Sequence, residues 1–383
     1  MIRVNNIHLS LDYDDKSVRK AVAQQLRIEE KSVKSCKIFR RSVDARKKDN
    51  IYFLTTVDTE LNINEDKVCK KCGNAQIARK YEYNQMKFGN APSPVVVGAG
   101  PAGLFAALIL ARSGANPILI ERGRDVDRRT ADVNRFWTSG QLDTTSNVQF
   151  GEGGAGTFSD GKLNSGTKDI RQRKVLEEFV SHGAPDEILY NAKPHIGTDM
   201  LKGTIKNIRN EIIELGGRVM FETKLVSMAF SDNKLKAITV ETANGNEIIE
   251  TDNVILAIGH SARDTFEMLY DLKLPIEAKP FSVGARIEHL REKVDKAQYG
   301  RFAGNKKLGS ANYKLSTHLD NGRGVYTFCM CPGGKVVNAS SEKNRLCTNG
   351  MSEFARNADN SNSALPASYT HLRAHETLAN LVC

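Results

Sequence analysis

The sequence predicts an α/β fold built on a parallel sheet, and three observations carry that prediction. An all-valine strand, Val95–Val97, runs into a glycine-rich turn and then a helical pattern from Pro101 to Ser113, with the next buried strand at Ile118–Ile120. A second buried strand, Val254 to Ile258, also ends on a glycine, Gly259. Between these units helical stretches alternate with short strands, which is the order of βαβ construction rather than of a β-sandwich. The chain has 383 residues, 40% of them hydrophobic and 26% charged, which is globular composition with enough length for two or three domains.

The elements follow in order. Residues 1–62 form a small α+β domain. Arg3 to Leu11 alternates as a strand, Asp15 is a candidate N-cap for a helix burying Val18, Val22 and Leu26, and Cys36 to Val43 pairs with Ile51 to Leu61. Residues 63–91 are polar and read as a linker with one helix. Residues 92–165 and 195–279 make the nucleotide-binding domain, with helices over Arg171 to His182 and Thr198 to Leu215. Short strands follow over Arg218 to Met228, Leu235 to Thr242 and Glu247 to Glu250. Residues 166–194 and 280–365 form a mixed β domain that holds the substrate.

Charge and composition exclude several classes. There are 55 basic and 45 acidic residues, a net charge of +10, and eight Lys/Arg of the excess lie between Lys31 and Lys48. That stretch holds one aromatic, Phe39, and lacks the interleaved aromatics of an RNA-binding sheet, so a solvated basic face is expected and not a nucleic-acid site. No apolar run approaches the ~18 residues of a membrane span. Seven cysteines make no disulfide framework, and a reducing cytoplasm is the expected compartment. Cys69 and Cys72 lack a second ligand pair at zinc spacing, so no metal is expected.

The turn Gly98-Ala99-Gly100-Pro101-Ala102-Gly103 carries the chemistry. Gly98 makes the tight turn, Gly100 lets a pyrophosphate approach the backbone, and Gly103 lets helix and strand pack closely. The helix N-terminus offers unpaired N–H groups and a positive dipole end. Glu121-Arg122 closes the second strand 18 residues after Gly103, where a carboxylate accepts ribose hydroxyls and repels a 2′-phosphate. FAD and NAD share this fingerprint. The segment Gly151 to Lys162, GEGGAGTFSDGK, favours FAD because a glycine run suits backbone lying against a flat ring or a second face of a pyrophosphate.

Read together, GAGPAG with Glu121, GEGGAGTFSDGK and AIGHSARD resemble the glutathione-reductase-like FAD flavoproteins. Within them the chain is similar to the NAD/FAD-utilising, FAD-dependent dehydrogenases. RSVDARKK, PFSVGARIEH, CPGGKVV and NGMSEFARNADNSNSAL extend the likeness to about residue 365. The resemblance implies a Rossmann-like FAD-binding domain in three layers (ββα). It places Ala99 to Gly103 and Gly153, Gly154, Ala155, Gly156 and Thr157 against FAD phosphates or flavin, and Glu121 on the ribose. Leu225 or Val226 then pairs with adenine through the main chain, and Ala257 and Gly259 flank the cofactor. It supplies no substrate and no electron donor. The ending from Pro366, ASYTHLRAHETLANLVC after the proline, resembles translated adapter sequence, so the chain is expected to be cut short there.

Side chains that could act on a substrate are few. His260, at the mouth of the sheet, donates to the flavin or acts as an acid, or else fixes its turn. Asp160 and Lys162 flank the ring or cap a loop. Cys329 and Cys331 share a strand face and are either a flavin-linked pair or two small buried residues. The expected function is that of an FAD-dependent oxidoreductase passing a hydride through flavin N5. The alternative is a non-catalytic flavin- or nucleotide-binding module acting as an RNA-associated sensor.

Overall fold

The computed structural model describes residues 1–79, 81–89, 92–167, 169–277 and 281–369. Within the nucleotide-binding region, four short strands form one parallel sheet in the order Val254–Leu256, Val95–Val97, Ile118–Ile120, Arg218–Met220. The two central strands carry no polar residue because both faces are covered. The strand period of two divides their side chains between two cores. Val96 and Leu119 meet Leu104 and Leu108 of helix Pro101–Arg112 and Ile205, Ile208 and Ile212 of helix Thr198–Glu214. Val95, Val97, Ile118 and Ile120 meet Leu225, Met228, Ile238 and Val240 on the opposite face.

That opposite face is covered by an antiparallel meander of Lys224–Ser231, Lys234–Thr242 and Gly245–Glu250. The sequence suggested one strand from Arg218 to Met228. The structure breaks it at Glu222, whose φ of +51° turns the chain from the parallel sheet into the meander.

The N-terminal sheet is antiparallel, in the order Val33–Asp44, Tyr52–Leu61, Ile2–Leu9, Ala75–Ile77. It reaches beyond residue 62, since Ala75–Ile77 pairs with Ile2 to Val4. Helix Asp15–Leu26 buries Val18, Val22 and Leu26 against it. Its cap is Asp14 rather than Asp15, with the Ser17 amide donating to Asp14 Oδ1 at 2.7 Å. The core of this unit is completed by residues from far downstream: Val294 and Tyr299 of helix Arg291–Tyr299, then Leu308, Ala311 and Met330. That helix interrupts the mixed β region and was not legible as one in the sequence.

The C-terminal sheet centres on Phe281–Leu290 paired antiparallel with Asn360–Tyr369 over ten residue pairs. Gly284 permits this, because a Cβ there would stand 2.0 Å from the Leu365 carbonyl oxygen. The strand runs through Pro366 to Tyr369, so the expected boundary at Leu365 does not end it. The rest of the expected tail, from residue 370, lies outside the described residues. Among the described residues no helix is long and apolar enough to cross a membrane.

Candidate functional site

A cavity of about 540 Å³ opens at the carboxyl ends of the parallel strands, where Val97, Ile120 and Leu256 reach it. This is where open α/β sheets bind ligands. Its floor is the Gly98–Gly103 turn, and the three glycines have distinct reasons. Gly98 takes φ +103°, and a Cβ on it would meet the Ala257 carbonyl oxygen at 2.5 Å. A Cβ on Gly103 would sit 1.8 Å from the Gly98 carbonyl oxygen. Gly100 is different, since a Cβ on it would find nothing nearer than the Gly154 Cα at 3.9 Å. Gly100 and Gly154 thus face each other across a narrow slot. Helix Pro101–Arg112 begins at that slot with no side-chain cap, so its first N–H groups and dipole point into it.

Two buried charged side chains hold this floor in shape. Glu121 is 6% exposed and lines the cavity. Its Oε2 accepts the Ala99 amide at 2.8 Å, and its Oε1 accepts those of Gly123 and Gly151 at 2.9 and 3.0 Å. The expectation that Glu121 is given over to ribose needs amending. Three of its roughly four acceptor positions are taken by backbone, which leaves one, on Oε2, for a hydroxyl. Arg129 was not singled out in the sequence. It is fully buried, and its five N–H groups donate to the carbonyls of Asn147, Val148, Gly151, Glu152 and Gly154 at 2.5–3.2 Å. Burial lowers its pKa to about 10, against the opposing pull of Glu121 and Glu152, so it stays charged. The signal was there: Arg129 lies on the same helix stripe as Asp132, Val133 and Phe136, all buried.

The walls come from separate segments. Gly154, Ala155 and Gly156 of a short 3₁₀ turn form one side, and Leu225, Ala257, Gly259 and His260 another. Arg122 stacks over the Phe150 ring at 4.5 Å and donates to Asp264 Oδ1 at 2.8 Å and Thr265 Oγ1 at 2.9 Å. Burial pushes the Asp264 carboxyl up, but hydrogen bonds from Arg122 and Lys224 win and hold it at about 2. His260 is exposed at the cavity mouth, 3.4 Å from Ser261 Oγ, which in turn donates to Gln149. Desolvation and then the Arg263 charge lower its pKa, so it is neutral at pH 7.

The structure does not bring every expected residue to the cavity. Ala99, Gly103, Gly153 and Thr157 lie behind its surface: the Gly153 amide donates to the Ala99 carbonyl at 2.7 Å, and Thr157 is fully buried. Val226 sits at a bulge between Leu225 and Ser227, outside the paired register of the meander. Asp160 and Lys162 face away from the cavity. Asp160 is 1% exposed and bound by Arg356 and Ser352, with Lys162 Nζ at 3.1 Å. Both belong to the junction with the C-terminal sheet, where their acid–base pairing is satisfied locally. Gln149, Phe150 and Thr265 line the cavity and carried no sequence signal. Among the described residues no cluster of three His, Cys, Asp or Glu side chains could hold a metal.

The glycine slot, the uncapped helix and the carboxylate at the strand end fit a dinucleotide, and comparison with known proteins agrees. Residues 93–133 match an FAD binding domain, residues 280–381 match the family described as FAD-dependent protein, C-terminal domain-like, and residues 1–60 match a domain of unknown function. An uncharacterised protein from Clostridium beijerinckii is 48% identical over 370 residues, which is 95% of this chain and 68% of that one. Solved flavoproteins are similar only loosely. The glycerol-3-phosphate dehydrogenase from Bacillus halodurans complexed with FAD shares 13% identity at a TM-score of 0.36, over 74% of this chain and 49% of that one. A flavoprotein/dehydrogenase from Cytophaga hutchinsonii shares 13% at 0.33, over 73% and 56%. The chain thus spans about half the length of these solved proteins. On the Clostridium match and the two cofactor-named domain matches, the chain belongs to that FAD-dependent protein family, and its cofactor is FAD.

Proposed function

We propose that the protein is an FAD-dependent oxidoreductase whose substrate meets the cofactor between the nucleotide-binding region and the C-terminal sheet. The observation that carries this reading is the slot between Gly100 and Gly154 above an uncapped helix end, with Glu121 beside it. In this reading the Rossmann-like domain is of the three-layer ββα type. The amides after Gly100 hold the pyrophosphate, Gly154 to Gly156 lie against its other face, and Glu121 Oε2 takes one ribose hydroxyl. The Leu225–Val226 main chain, displaced from its ladder by the bulge, meets adenine. Bound there, FAD supplies a ring that accepts or gives up a hydride at N5.

The chain's own residues then bind, orient and exclude water. Ala257, Gly259 and His260 close the cavity mouth. With the Ser261 hydroxyl proton given to Gln149, a neutral His260 donates its Nε2–H to Ser261 Oγ and offers Nδ1 as an acceptor to a donor on the substrate or cofactor. Purification should give a yellow protein holding FAD, and Gly100→Val should abolish this by filling the slot. Anaerobic titration with NADH, NADPH and organic donors then tests the activity. His260→Gln should keep FAD and slow its reduction. Retention of stoichiometric FAD by Gly100→Val would overturn the placement, and absence of reduction by any donor would favour a non-catalytic flavin module.

A further inference from the structure

The GEGGAGTFSDGK segment has two ends, and only the first serves the cavity. The second carries Lys162 to the C-terminal sheet, where its Nζ lies 3.4 Å from Cys331 Sγ and 4.0 Å from Cys329 Sγ. Arg286 adds a second cation, donating to the Cys329 carbonyl at 3.2 Å and to Asn362 Oδ1 at 2.7 Å. The two cysteines do not sit on a regular strand. Between Phe328 and Cys331 the pairing with Asn360–Tyr369 shifts by a residue, and Cys329 takes φ +47°. That left-handed conformation is uncommon for a residue with a Cβ, and such conformations collect at functional sites. At this kink the Cys331 thiol donates back to the Cys329 carbonyl oxygen at 3.3 Å. Gly350 leaves the room: a Cβ there would stand 2.6 Å from Cys331 Sγ. Exposure differs between the two, since Cys329 is half-buried beside an exposed Phe328 while Cys331 is fully buried.

We propose that Cys329 and Cys331 form a redox-active dithiol that reduces a small disulfide, with the more exposed Cys329 as the attacking sulfur, the buried Cys331 as the resolving one and Lys162 as the cation beside both sulfurs. The Cys329 thiolate attacks one sulfur of RS–SR, forms Cys329–S–S–R and releases RS⁻. Cys331 gives its proton to the departing RS⁻ and attacks the Cys329 sulfur, which forms the Cys329–Cys331 disulfide and releases a second RS⁻ that takes a proton from water. Both thiolates end as RSH, and the two electrons come from the two cysteine sulfurs. The electrostatics agree in direction. The neighbouring Cys331 thiol, then Lys162 and Arg286, hold the Cys329 thiol well below an ordinary cysteine against the effect of burial, while Cys331 is pushed up. That is the asymmetry an attacking and a resolving thiol need. The exchange needs no flavin and stands apart from the function proposed above.

The test uses the full chain, reduced and then equilibrated with mixtures of reduced and oxidised glutathione. Mass spectrometry of the peptide holding both cysteines should show the loss of two hydrogens and the blocking of both thiols. Cys331→Ser should stall with one glutathionyl group on Cys329. Iodoacetamide labelling of Cys329 in the reduced wild-type chain should have its pH midpoint below that of a free thiol. Lys162→Met should raise that midpoint by about one pH unit, and Lys162→Arg should restore it. Two results with the unmutated chain would overturn the proposal on their own: no Cys329–Cys331 disulfide at any glutathione ratio, or a Cys329 midpoint at the roughly 8.5 of an ordinary thiol.

Discussion

Replacing Arg129 tests whether the glycine loop is held from beneath. Its guanidinium, itself fully buried, donates to five backbone carbonyls, and three of these, Gly151, Glu152 and Gly154, belong to the loop that walls the cavity. In Arg129→Met the side chain still fills the space, but all five carbonyls lose the guanidinium. Gly151 keeps the Gly154 amide at 3.0 Å and Glu152 the Thr157 hydroxyl at 3.4 Å, and the carbonyls of Asn147, Val148 and Gly154 lose the side-chain donor that held them. An orphaned buried carbonyl costs about 1 kcal/mol or more, so the three put the loss at about 3 kcal/mol, a large share of the stability of an ordinary domain. Loss of the cation also leaves the buried Glu121 and Glu152 without its field. Arg129→Lys sharpens the test, because an ammonium has three donors and leaves at least two of the five contacts unmade. Urea unfolding and FAD content of the three proteins are the measurements. The expected order is wild type, Lys, then Met, with Met losing FAD or failing to fold. A lysine variant with wild-type midpoint and full FAD would show that the charge matters and the five-way geometry does not.

Gly103→Ala should be severe for so small a change, since the new carbon would overlap the Gly98 carbonyl and force helix and turn apart; thermal unfolding at wild-type temperature would refute the packing argument. Glu121→Gln should cost roughly 1–3 kcal/mol, because one oxygen becomes an NH₂ group facing a backbone amide, and an unchanged urea midpoint would remove the carboxylate from its bracing role. Asp264 gives a pH prediction with a fixed sign. Its folded pKa of about 2 lies below the 3.8 of a free carboxyl, so its ion pairs stabilise fully above that value and fade as pH falls towards 2. The melting temperatures of wild type and Asp264→Asn should converge between about pH 5 and pH 2, and a gap independent of pH would refute the pairing.

What was legible in the sequence is what repeats locally. Val95–Val97, the GAGPAG turn and Ile118–Ile120 announce themselves because each strand is apolar on both faces and each glycine answers a nearby backbone atom. The same local logic placed Glu121 and His260 at the cavity, while Leu225, Ala257 and Gly259, which also line it, were implied by the family resemblance. Long-range geometry was not legible. Asp160 reads as a cofactor-side acid in the glycine-rich GEGGAGTFSDGK segment, yet its partners Ser352 and Arg356 lie almost two hundred positions away. Arg129 looks like one more surface charge in an Arg-rich helix until the carbonyls above it are in place. The strand break at Glu222 needs a left-handed residue that was not glycine, so no turn signal marked it.

The shared core of the N-terminal unit bears on the order in which the chain acquires structure. Its strands leave the ribosome well before Val294, Tyr299, Leu308 and Met330, which close their hydrophobic cluster and are made more than two hundred residues later. At ~5–20 residues per second, the apolar face of Ile2, Val4 and Val57 waits on the order of ten seconds or more for its lid. During synthesis that sheet is an unfinished surface, and its guardian is the basic edge strand Val33–Asp44, whose charges discourage pairing with another chain.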